Sequence, residues 1–469
     1  MANKNTDILK KIKAVYFIGI GGIGMSAIAL FFKKSGIFTA GYDRTKTIIT
    51  EKLIKNKIPV HFKDDTRLIP KEVISEDKNN VIIVYTPAVA QSHSELKFFK
   101  SKKYTVLKRA EILGIITSQN KVIAVAGTHG KTSVSTVISH IFKTAEKNFN
   151  AFLGGISKNY DSNLILSEKP DISEYAVVEA DEYDRSFLNL SPYTAIITAV
   201  DEDHLDIYKN IEDIKHTFEQ FISQTNKSGN LLIKKDVELS KNVFPENTFT
   251  YSLDVKCDYY AENIQINTLK STFDIITPNG KIENAVLNIP GKLNIENAVA
   301  AAAVADIHKV PFDKIKDGLS SWQGVKRRFD YIINTDDLVY IDDYAHHPEE
   351  LSAFINSVKN IYPDKKTIII FQPHLYSRTR DFADEFAESL SLCDEIILTD
   401  IYPAREAPVK GVSSKLIFDK INSGKKILIK KEEVLKNLKK QKNTVYMTTG
   451  AGDIDILVNK IKELLLKNE

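Results

Sequence analysis

The sequence is poor in cysteine, in excess charge of either sign and in long apolar runs. Cys257 and Cys393 are the only cysteines among 469 residues and stand too far apart for a CxxC metal or redox pair. Isolated thiols are typical of a reducing compartment, so we expect a cytoplasmic protein. The 64 lysines and arginines nearly balance 61 aspartates and glutamates, so we expect no nucleic-acid or membrane partner. The apolar run Ala14 to Ile20 is broken by glycine and is too short for a signal peptide or membrane span.

The sequence does contain a repeated α/β theme. Three times, a short apolar run leads into a glycine-bearing turn and then a helix-like segment, as in parallel α/β units. Because a domain typically has roughly 100 to 200 residues, we predict three α/β domains, at residues 1–118, 119–326 and 327–469. Residues 231–289 favour an antiparallel flank or subsheet before a helix at 294–305. Strands are predicted at 14–18, 81–86, 121–126, 175–178, 194–200, 366–371, 395–399, 426–429 and 444–447.

The first glycine motif has the pattern GxGxxG. Gly19, Gly21 and Gly24 follow a strand and open a helix, and Asp43 ends the next apolar stretch. This arrangement predicts a diphosphate at the helix N-terminus, with Asp43 on a ribose. NAD and a UDP-sugar both satisfy it, and a tight structural turn without a ligand is the alternative.

The second glycine motif, GTHGKT, is the strongest chemical signal. It runs from Gly127 to Lys131 and Thr132, between a buried strand and an apolar helix beginning at Ser133. Its backbone N–H groups suit phosphate, the lysine suits the β- and γ-phosphates, and the threonine hydroxyl suits Mg²⁺. Val125 stands where the longer phosphate-loop pattern has its first glycine. We favour ATP binding over a chance Gly-Lys-Thr.

Several polar side chains follow the strands around this motif. Glu179 and His204 each come after an apolar run, where ligands of a nucleotide-bound metal typically lie. Asn294 and Asn297 are three apart near a helix start and share a face, although helix capping explains such residues equally well.

The last part of the chain places cationic residues after strand-like runs. Arginine stays charged and binds carboxylate or phosphate in bidentate fashion, so we expect a cationic sheet edge. Its members are His346, His347, His374, Arg378, Arg380 and Arg405.

Taken together, the motifs are similar to those of the Mur ligase superfamily, and within it to the branch that adds L-alanine. The shared elements include GxGGxGMS, GTHGKTS, EADE, DHLD, RRF, DDYAHHP and YPAREAP, in the family's order over residues 19–453. The resemblance implies an N-terminal Rossmann-like UDP-binding domain, a central P-loop ATPase domain and a C-terminal Rossmann-like domain. It also implies ATP- and Mg²⁺-dependent ligation of L-alanine to UDP-N-acetylmuramate through an acyl phosphate, the first amino-acid addition in peptidoglycan precursor synthesis.

The resemblance assigns roles to individual residues. Catalytic roles fall to Lys131, His204, His347 and Arg378. Thr132 and Glu179 would hold one Mg²⁺, and His204 would hold a second. ATP contacts fall to Gly127, Thr128, His129, Gly130, Lys131, Thr132, Ser133, Asn294, Asn297, Arg328 and Asp343. Substrate contacts fall to Gly21, Gly22, Gly24, Met25, Ser26, Asp43, Thr86, Pro87, Ala88, Val89, His346, His374 and Arg380.

Other interpretations remain open at this stage. A recycling ligase that adds a whole tripeptide shares most of the motifs, but the segment EYDRSFL, from Glu182 to Leu188, favours alanine addition. An NAD-dependent dehydrogenase leaves the phosphate loop unexplained, and a non-catalytic regulator has no need of Lys131. Leu375 departs from the family, in which we associate this position with arginine, so one substrate contact is either lost or supplied by Arg378. We expect a monomer or a weak homodimer.

Overall fold

Two units of the chain each build their own sheets. The computed structural model describes residues 9–202, 207–404, 406–422 and 424–467. Unit 1 comprises residues 1–265, 271–288 and 292–323, and unit 2 comprises residues 266–270, 289–291 and 324–469. Among the described residues, no helix is both long and apolar enough to cross a membrane.

The first sheet of unit 1 is parallel, in the strand order β3-β2-β1-β4-β5. Its strands are β1 Ala14–Ile18, β2 Phe38–Tyr42, β3 Val60–His61, β4 Val81–Tyr85 and β5 Thr105–Lys108. The helices along this part of the chain are α1 Ile23–Lys34, α2 Ile48–Lys55, α3 Lys71–Ile74, α4 Ser94–Ser101 and α5 Arg109–Thr117. Ile18 pairs with Tyr42 on one side and Tyr85 on the other, so the loops that follow three strands start at one edge.

The second sheet has the order β12-β11-β10-β6-β9-β7-β8 and is parallel except for β8. Its strands are β6 Lys121–Ala126, β7 Phe149–Ser157, β8 Ser162–Ile165, β9 Tyr175–Glu179, β10 Pro192–Ile197, β11 Asn230–Lys234 and β12 Asn247–Tyr251. The accompanying helices are α6 Lys131–Thr144, α7 Ile211–Ser223, α8 Lys292–Ile307 and α9 Phe312–Ser321. Val125 pairs with Glu179 and Ala126 with Ile197, which brings three strand ends together beside the phosphate loop.

The prediction of an antiparallel flank or subsheet in residues 231–289 is correct for only part of that segment. The strands β13 Tyr260–Ile266, β14 Ser271–Thr277 and β15 Gly280–Leu287 form a small separate sheet in which β14 and β15 are antiparallel. However, β11 and β12 extend the central sheet in parallel, so the prediction was wrong for them. Alternation of apolar and polar residues reports burial on one face and carries no information about strand direction.

One apolar core runs through both large sheets of unit 1. Phe17 of β1, Val122 of β6 and Val178 of β9 belong to a single cluster of buried side chains. The rings of Phe31 and Phe152 lie 5.6 Å apart, and join α1 to β7. The first two sequence-predicted domains therefore share a core, and a boundary at residue 118 remains a prediction.

Unit 2 has one large sheet, in the order β16-β17-β21-β18-β19-β20, in which only the pairing of β16 with β17 is antiparallel. Its strands are β16 Asp330–Asn334, β17 Leu338–Asp343, β18 Lys366–Phe371, β19 Glu395–Leu398, β20 Lys425–Leu428 and β21 Thr444–Thr449. Its helices are α10 Pro348–Ile361, α11 Tyr376–Asp381, α12 Ala383–Leu390, α13 Lys415–Lys420, α14 Val434–Asn437 and α15 Val458–Leu466. Thr449 pairs with both Asp343 and Phe371, so the loops after β17, β18 and β21 share an edge.

The predicted strands are all present in the structure. The main difference in length is at β10, which ends at Ile197 rather than at residue 200. The predicted helix at 294–305 is α8, which is two residues longer at each end.

Candidate active site

The N-terminal glycine loop joins β1 to α1 and is held by Asp43. The Gly21 N–H donates to Asp43 Oδ2 over 2.7 Å, and the Thr45 N–H donates to Asp43 Oδ1 over 3.0 Å. Gly22 is the N-cap of α1, and the first turn of this fully described helix contains no acidic side chain. The loop thus offers helix N-terminal donors of the kind that bind a diphosphate. Asp43 positions the loop, and its contact with a ribose remains a prediction.

The turn from Thr86 to Val89 packs on this glycine loop. The Val89 N–H donates to Thr86 O over 3.0 Å. A Cβ added at Gly19 would lie 2.8 Å from Thr86 Cγ2, so the two segments are in direct contact. Pro87 and Ala88, between them, are exposed. The structure therefore brings together two segments that the sequence assigned to the same substrate.

Met25 and Ser26 were assigned to that substrate as well, but their side chains are buried. Met25 belongs to the apolar core of unit 1. The Ser26 hydroxyl donates to Ile23 O over 2.8 Å and accepts from Asn163 Nδ2 over 3.1 Å. These side chains pack α1 against the rest of unit 1 and do not line the surface of the loop.

The phosphate loop needs glycine at two backbone positions. Gly127 has φ +137° and Gly130 has φ +82°, both values that side-chain-bearing residues rarely adopt. The Thr128 hydroxyl donates to Asp201 Oδ2 over 2.8 Å, and His129 Nε2 lies 3.7 Å from the same oxygen. The Thr198 hydroxyl donates to the His129 carbonyl. Side chains from the end of β10 thus hold the loop in shape.

Lys131 begins α6 and is largely buried beside carboxylates. Its Nζ donates to Glu182 Oε1 over 2.9 Å and to Gly127 O over 2.6 Å. Burial by itself lowers the pKa of Lys131, but the negative charges of Glu182, Glu179 and Asp181 outweigh burial and leave the pKa raised. Lys131 is therefore a permanent cation at the helix N-terminus.

Thr132 and Glu179 form the oxygen pair that the sequence assigned to a metal. The Thr132 hydroxyl donates to Glu179 Oε2 over 2.8 Å. Gly154 of β7 makes room for this carboxylate, since a Cβ added there would lie 1.9 Å from Glu179 Oε2. A hydroxyl and a carboxylate oxygen this close are suitable donors for Mg²⁺, which takes only one or two protein oxygens beside phosphates.

The third assigned ligand, His204, lies outside the described residues, as does Arg405 of the cationic set. Within the described ranges, no three histidine, cysteine or acidic side chains gather as a metal site.

Asn297 lies beside the phosphate loop. A Cβ added at Gly130 would lie 3.0 Å from Asn297 Oδ1, which places the first turns of α8 next to the start of α6. Asn294, one turn earlier, is half-buried. Ser133 is half-buried in the first turn of α6. The structure thus places Asn297 and Ser133 close to the phosphate loop, while the contact of these residues and Asn294 with ATP remains a prediction.

Sequence reasoning missed several residues that shape the site. Arg109 lies against the N-terminal glycine loop and donates to Asp181 Oδ2 over 3.0 Å. Thr198 and Gly154 were also missed. The glycine pair inside β7 was a usable signal, because glycine within a strand often marks a close approach.

In unit 2, Asp343 holds the backbone around the end of β17. Its Oδ2 accepts from the Phe329 N–H over 2.6 Å, and its Oδ1 accepts from the Ala345 N–H over 2.8 Å. Burial raises the pKa of Asp343, an effect opposed by the charge of Arg328 and by these hydrogen bonds. The Arg328 guanidinium lies 5.2 Å from the centre of the Tyr344 ring.

Two histidines of unit 2, His346 and His374, lie close to each other. His346 Nδ1 lies 3.0 Å from Tyr344 O and 3.2 Å from a Glu350 oxygen, and the His346 and His374 rings are 5.8 Å apart. His374 stacks on Tyr402. Burial lowers the pKa of His346 to about 4, although Glu350 partly offsets this. At neutral pH the His346 imidazole is therefore uncharged.

The remaining assigned residues of unit 2 have different surroundings. Arg378 is close enough to His346 to lower its pKa further. Arg380 is exposed and donates to Asp381 Oδ1 over 2.7 Å, which is a local ion pair. His347 caps α10, with its ring 4.9 Å from that of Phe382.

Leu375 immediately precedes α11 and has an unusual backbone. Its φ is +71°, a conformation that a leucine adopts only when its surroundings enforce it. The Leu375 N–H donates to Tyr402 O over 3.0 Å, and its carbonyl accepts from the Thr379 N–H and hydroxyl. Its side chain is buried, so it makes no polar contact where the family resemblance led us to associate arginine.

Three family descriptions match successive parts of the chain. "Mur ligase family, catalytic domain" matches residues 14–121, "Mur ligase middle domain" matches residues 125–305, and "Mur ligase, glutamate ligase domain" matches residues 327–453. Together they cover most of the chain and agree with the three-domain α/β fold expected from the sequence.

Individual relatives are similar over nearly their whole length. UDP-N-acetylmuramate–L-alanine ligase of Parabacteroides distasonis is 48% identical over 460 residues, which are 98% of each chain. The crystal structure of UDP-N-acetylmuramate-alanine ligase from Thermotoga maritima matches with a TM-score of 0.81 and 26% identity, over 96% of this chain and 98% of that one. A murein peptide ligase from Psychrobacter arcticus has the same fold, with a TM-score of 0.71 and 20% identity over 97% of this chain and 100% of that one. On this evidence the chain belongs to the Mur ligase family.

Proposed function

We propose that this chain uses ATP to join L-alanine to the lactyl carboxylate of UDP-N-acetylmuramate, the first amino-acid addition in peptidoglycan precursor synthesis. The observation that carries the proposal is the phosphate loop, in which the buried Lys131 cation lies beside the Thr132–Glu179 oxygen pair. The 48% identity to an L-alanine ligase over almost the full chain supports the choice of substrates.

The chemistry of such a ligation explains the charges. A carboxylate and a triphosphate repel each other, so phosphoryl transfer between them requires fixed positive charge. Lys131 and the N-terminus of α6 provide that charge in unit 1. Mg²⁺, held by Thr132 and Glu179, would neutralise the phosphate oxygens further. In the first step the lactyl carboxylate would attack the γ-phosphate of ATP and release ADP, which forms an acyl phosphate. The alanine amine would then attack the acyl carbon, and phosphate would leave as the amide forms.

Apart from Met25 and Ser26, whose side chains are buried, the other assigned residues keep their proposed roles. The glycine loop with Asp43 and the turn at 86–89 would hold the UDP-sugar. His346, His347, His374, Arg378 and Arg380 of unit 2 would serve the sugar acid and alanine, and Arg328 and Asp343 would serve ATP. We expect the protein to act in the cytoplasm as a monomer or weak homodimer.

The test is phosphate release by the purified protein with ATP, Mg²⁺ and UDP-N-acetylmuramate. We expect release to require L-alanine, and a parallel reaction with the tripeptide L-alanyl-γ-D-glutamyl-meso-diaminopimelate to be slower. A preference for tripeptide would transfer the assignment to the recycling ligases. If neither amine supports release, the ligase proposal fails, and NAD binding becomes the next measurement.

Lys131→Ala is the matched inactive control for this assay. Removing the cation should lower kcat roughly 100- to 1,000-fold, as loss of one preorganised charge at a developing transition state does. Because the change also leaves Glu182 buried without its partner, Lys131→Ala/Glu182→Gln should recover thermal stability but not activity. Full activity of either variant would contradict the proposed role.

A further inference from the structure

Arg109 stands between the two glycine loops of unit 1. It is the first residue of α5, and a Cβ added at Gly24 would lie 2.9 Å from Arg109 Nη1 and 3.1 Å from its Cδ. On the other side, Arg109 Nη2 donates to Asp181 Oδ2 over 3.0 Å. A single guanidinium therefore lies on the first turn of α1 and also reaches the acidic end of β9.

The helix that carries Arg109 is held firmly in place. A Cβ added at Gly114 of α5 would lie 2.3 Å from Asn189 O. The helix therefore directly contacts the backbone of the segment that joins β9 to β10. The neighbouring Lys108 forms a second ion pair, in which its Nζ lies 2.8 Å from Asp184 Oδ2. Arg109 is thus presented from a rigid element, as precise ligand binding requires.

Arg109 has donors available beyond its ion pair. A guanidinium carries five N–H donors, and among the residues that the structure describes Asp181 is the only hydrogen-bond partner of Arg109. Its side chain is 20% exposed, so it is accessible to a ligand. Glycine at position 24 leaves room for the guanidinium beside the first turn of α1.

We propose that Arg109 binds the diphosphate of the UDP-sugar, an inference that rests on the proposed function. The N-terminus of α1 contributes about half a positive charge, whereas a diphosphate ester carries about two negative charges, so a further cation is needed close to the loop. Arginine is suited to this role because its fork bridges two oxygens and never loses its proton. With Asp181 as its second partner, Arg109 also joins the diphosphate to the strand end beside the phosphate loop.

Arg109→Met and Arg109→Lys test the inference, with Lys108→Met as the matched control. Loss of a charge-assisted hydrogen bond should raise KM for UDP-N-acetylmuramate roughly 10- to 100-fold in Arg109→Met, with kcat and KM for ATP within about threefold. Arg109→Lys should recover part of the loss, because it keeps the charge without the fork. Titration calorimetry with UDP alone should show the same ranking of affinities.

Lys108→Met separates binding from packing, because it removes a comparable ion pair to the same segment without touching the glycine loop. It should leave KM for the UDP-sugar within about threefold of wild type. An equal rise of KM in Lys108→Met and Arg109→Met would overturn the inference in favour of a packing role. So would unchanged UDP affinity in both Arg109 variants of an active ligase, and that result would leave the proposed function intact. A wild-type protein without ligation activity would instead remove the proposed function itself.

Discussion

Lys131 and His346 are both ionisable and largely buried, yet their surroundings shift the two pKa values in opposite directions. Lys131 has three carboxylates near it, and these outweigh the effect of burial on its pKa. His346 has one carboxylate, from Glu350, but also the arginines 378 and 328, and burial dominates. The first side chain is therefore a fixed cation suited to phosphate, and the second is a neutral imidazole. Since His346 Nδ1 faces the Tyr344 carbonyl, its Nε2 is left as a hydrogen-bond acceptor.

The state of His346 predicts a pH dependence of stability. Its folded-state pKa of about 4 lies below the ordinary value of 6.5, so the unfolded chain takes up the proton first as pH falls. The stability contributed by the neutral ring is complete above pH 6.5 and is lost between pH 6.5 and 4. Between pH 7 and 5, wild type should lose about 2 kcal/mol more than His346→Gln in urea unfolding followed by circular dichroism.

The control is His216→Gln, at an exposed histidine of α7. This variant should follow the wild-type dependence on pH. Identical pH profiles for wild type and His346→Gln would mean that folding does not lower the pKa of His346.

At the scale of elements, the site depends on where parallel strands end. In unit 1, β6, β9 and β10 deliver the phosphate loop, Glu179 and Thr198 to one edge. The neighbouring β7 contributes Gly154, which has no side chain and so leaves space for the Glu179 carboxylate. In unit 2, the turn into α11 instead places Leu375 at a positive φ, a conformation of the kind that costs about 1 to 3 kcal/mol.

Gly154→Ala should damage the proposed metal site. The added Cβ would lie 1.9 Å from Glu179 Oε2, so the carboxylate must move away from Thr132. We expect the Mg²⁺ concentration for half-maximal phosphate release to rise roughly 10- to 100-fold, as when a supporting partner of a metal ligand is lost.

Gly36→Ala is a suitable comparison for that variant. Gly36 has φ +81°, and no atom lies within 4 Å of the added Cβ. Gly36→Ala should reduce the free energy of unfolding by roughly 1 to 2 kcal/mol without changing the Mg²⁺ concentration that the enzyme requires. If Gly154→Ala behaves like Gly36→Ala, Glu179 is not a metal ligand.

At the scale of the whole molecule, the sequence motifs mark three domains, whereas the packing of the chain separates only two units. The motifs mark three domains, and the three family matches agree with them. Yet the apolar core of the first sheet is continuous with that of the central sheet, through contacts such as Phe31 with Phe152. The two main clusters of unit 2 flank its sheet and are made of residues between 329 and 465.

This division predicts how fragments behave. A fragment of residues 327–469 should unfold cooperatively on heating, because it keeps both of its clusters. A fragment of residues 1–118 should melt at lower temperature than residues 1–326 and bind a hydrophobic dye, because it exposes the surface that Phe31 buries. Calorimetry of the three fragments checks this, and equally cooperative melting of residues 1–118 and 1–326 would contradict the shared core.

Much of the fold could be predicted from sequence, because its signals are local. A buried strand, a glycine turn and an amphipathic helix are contiguous in each α/β unit, and β1, β6 and β18 were predicted at their observed limits. Strand direction was predicted wrongly at β11 and β12, because it depends on the neighbouring strand and not on the strand's own residues.

The sequence by itself determined the family, the phosphate loop at Gly127–Thr132 and the nucleotide-binding chemistry, since those motifs place all their donors within a few consecutive residues. Only the tertiary structure decided which distant side chains complete them: Glu182 beside Lys131, Gly154 beneath Glu179, and Arg109 between Gly24 and Asp181. These contacts join residues far apart in the chain. They exist because strand order and a shared core bring separate strand ends to one edge, information that no single segment contains.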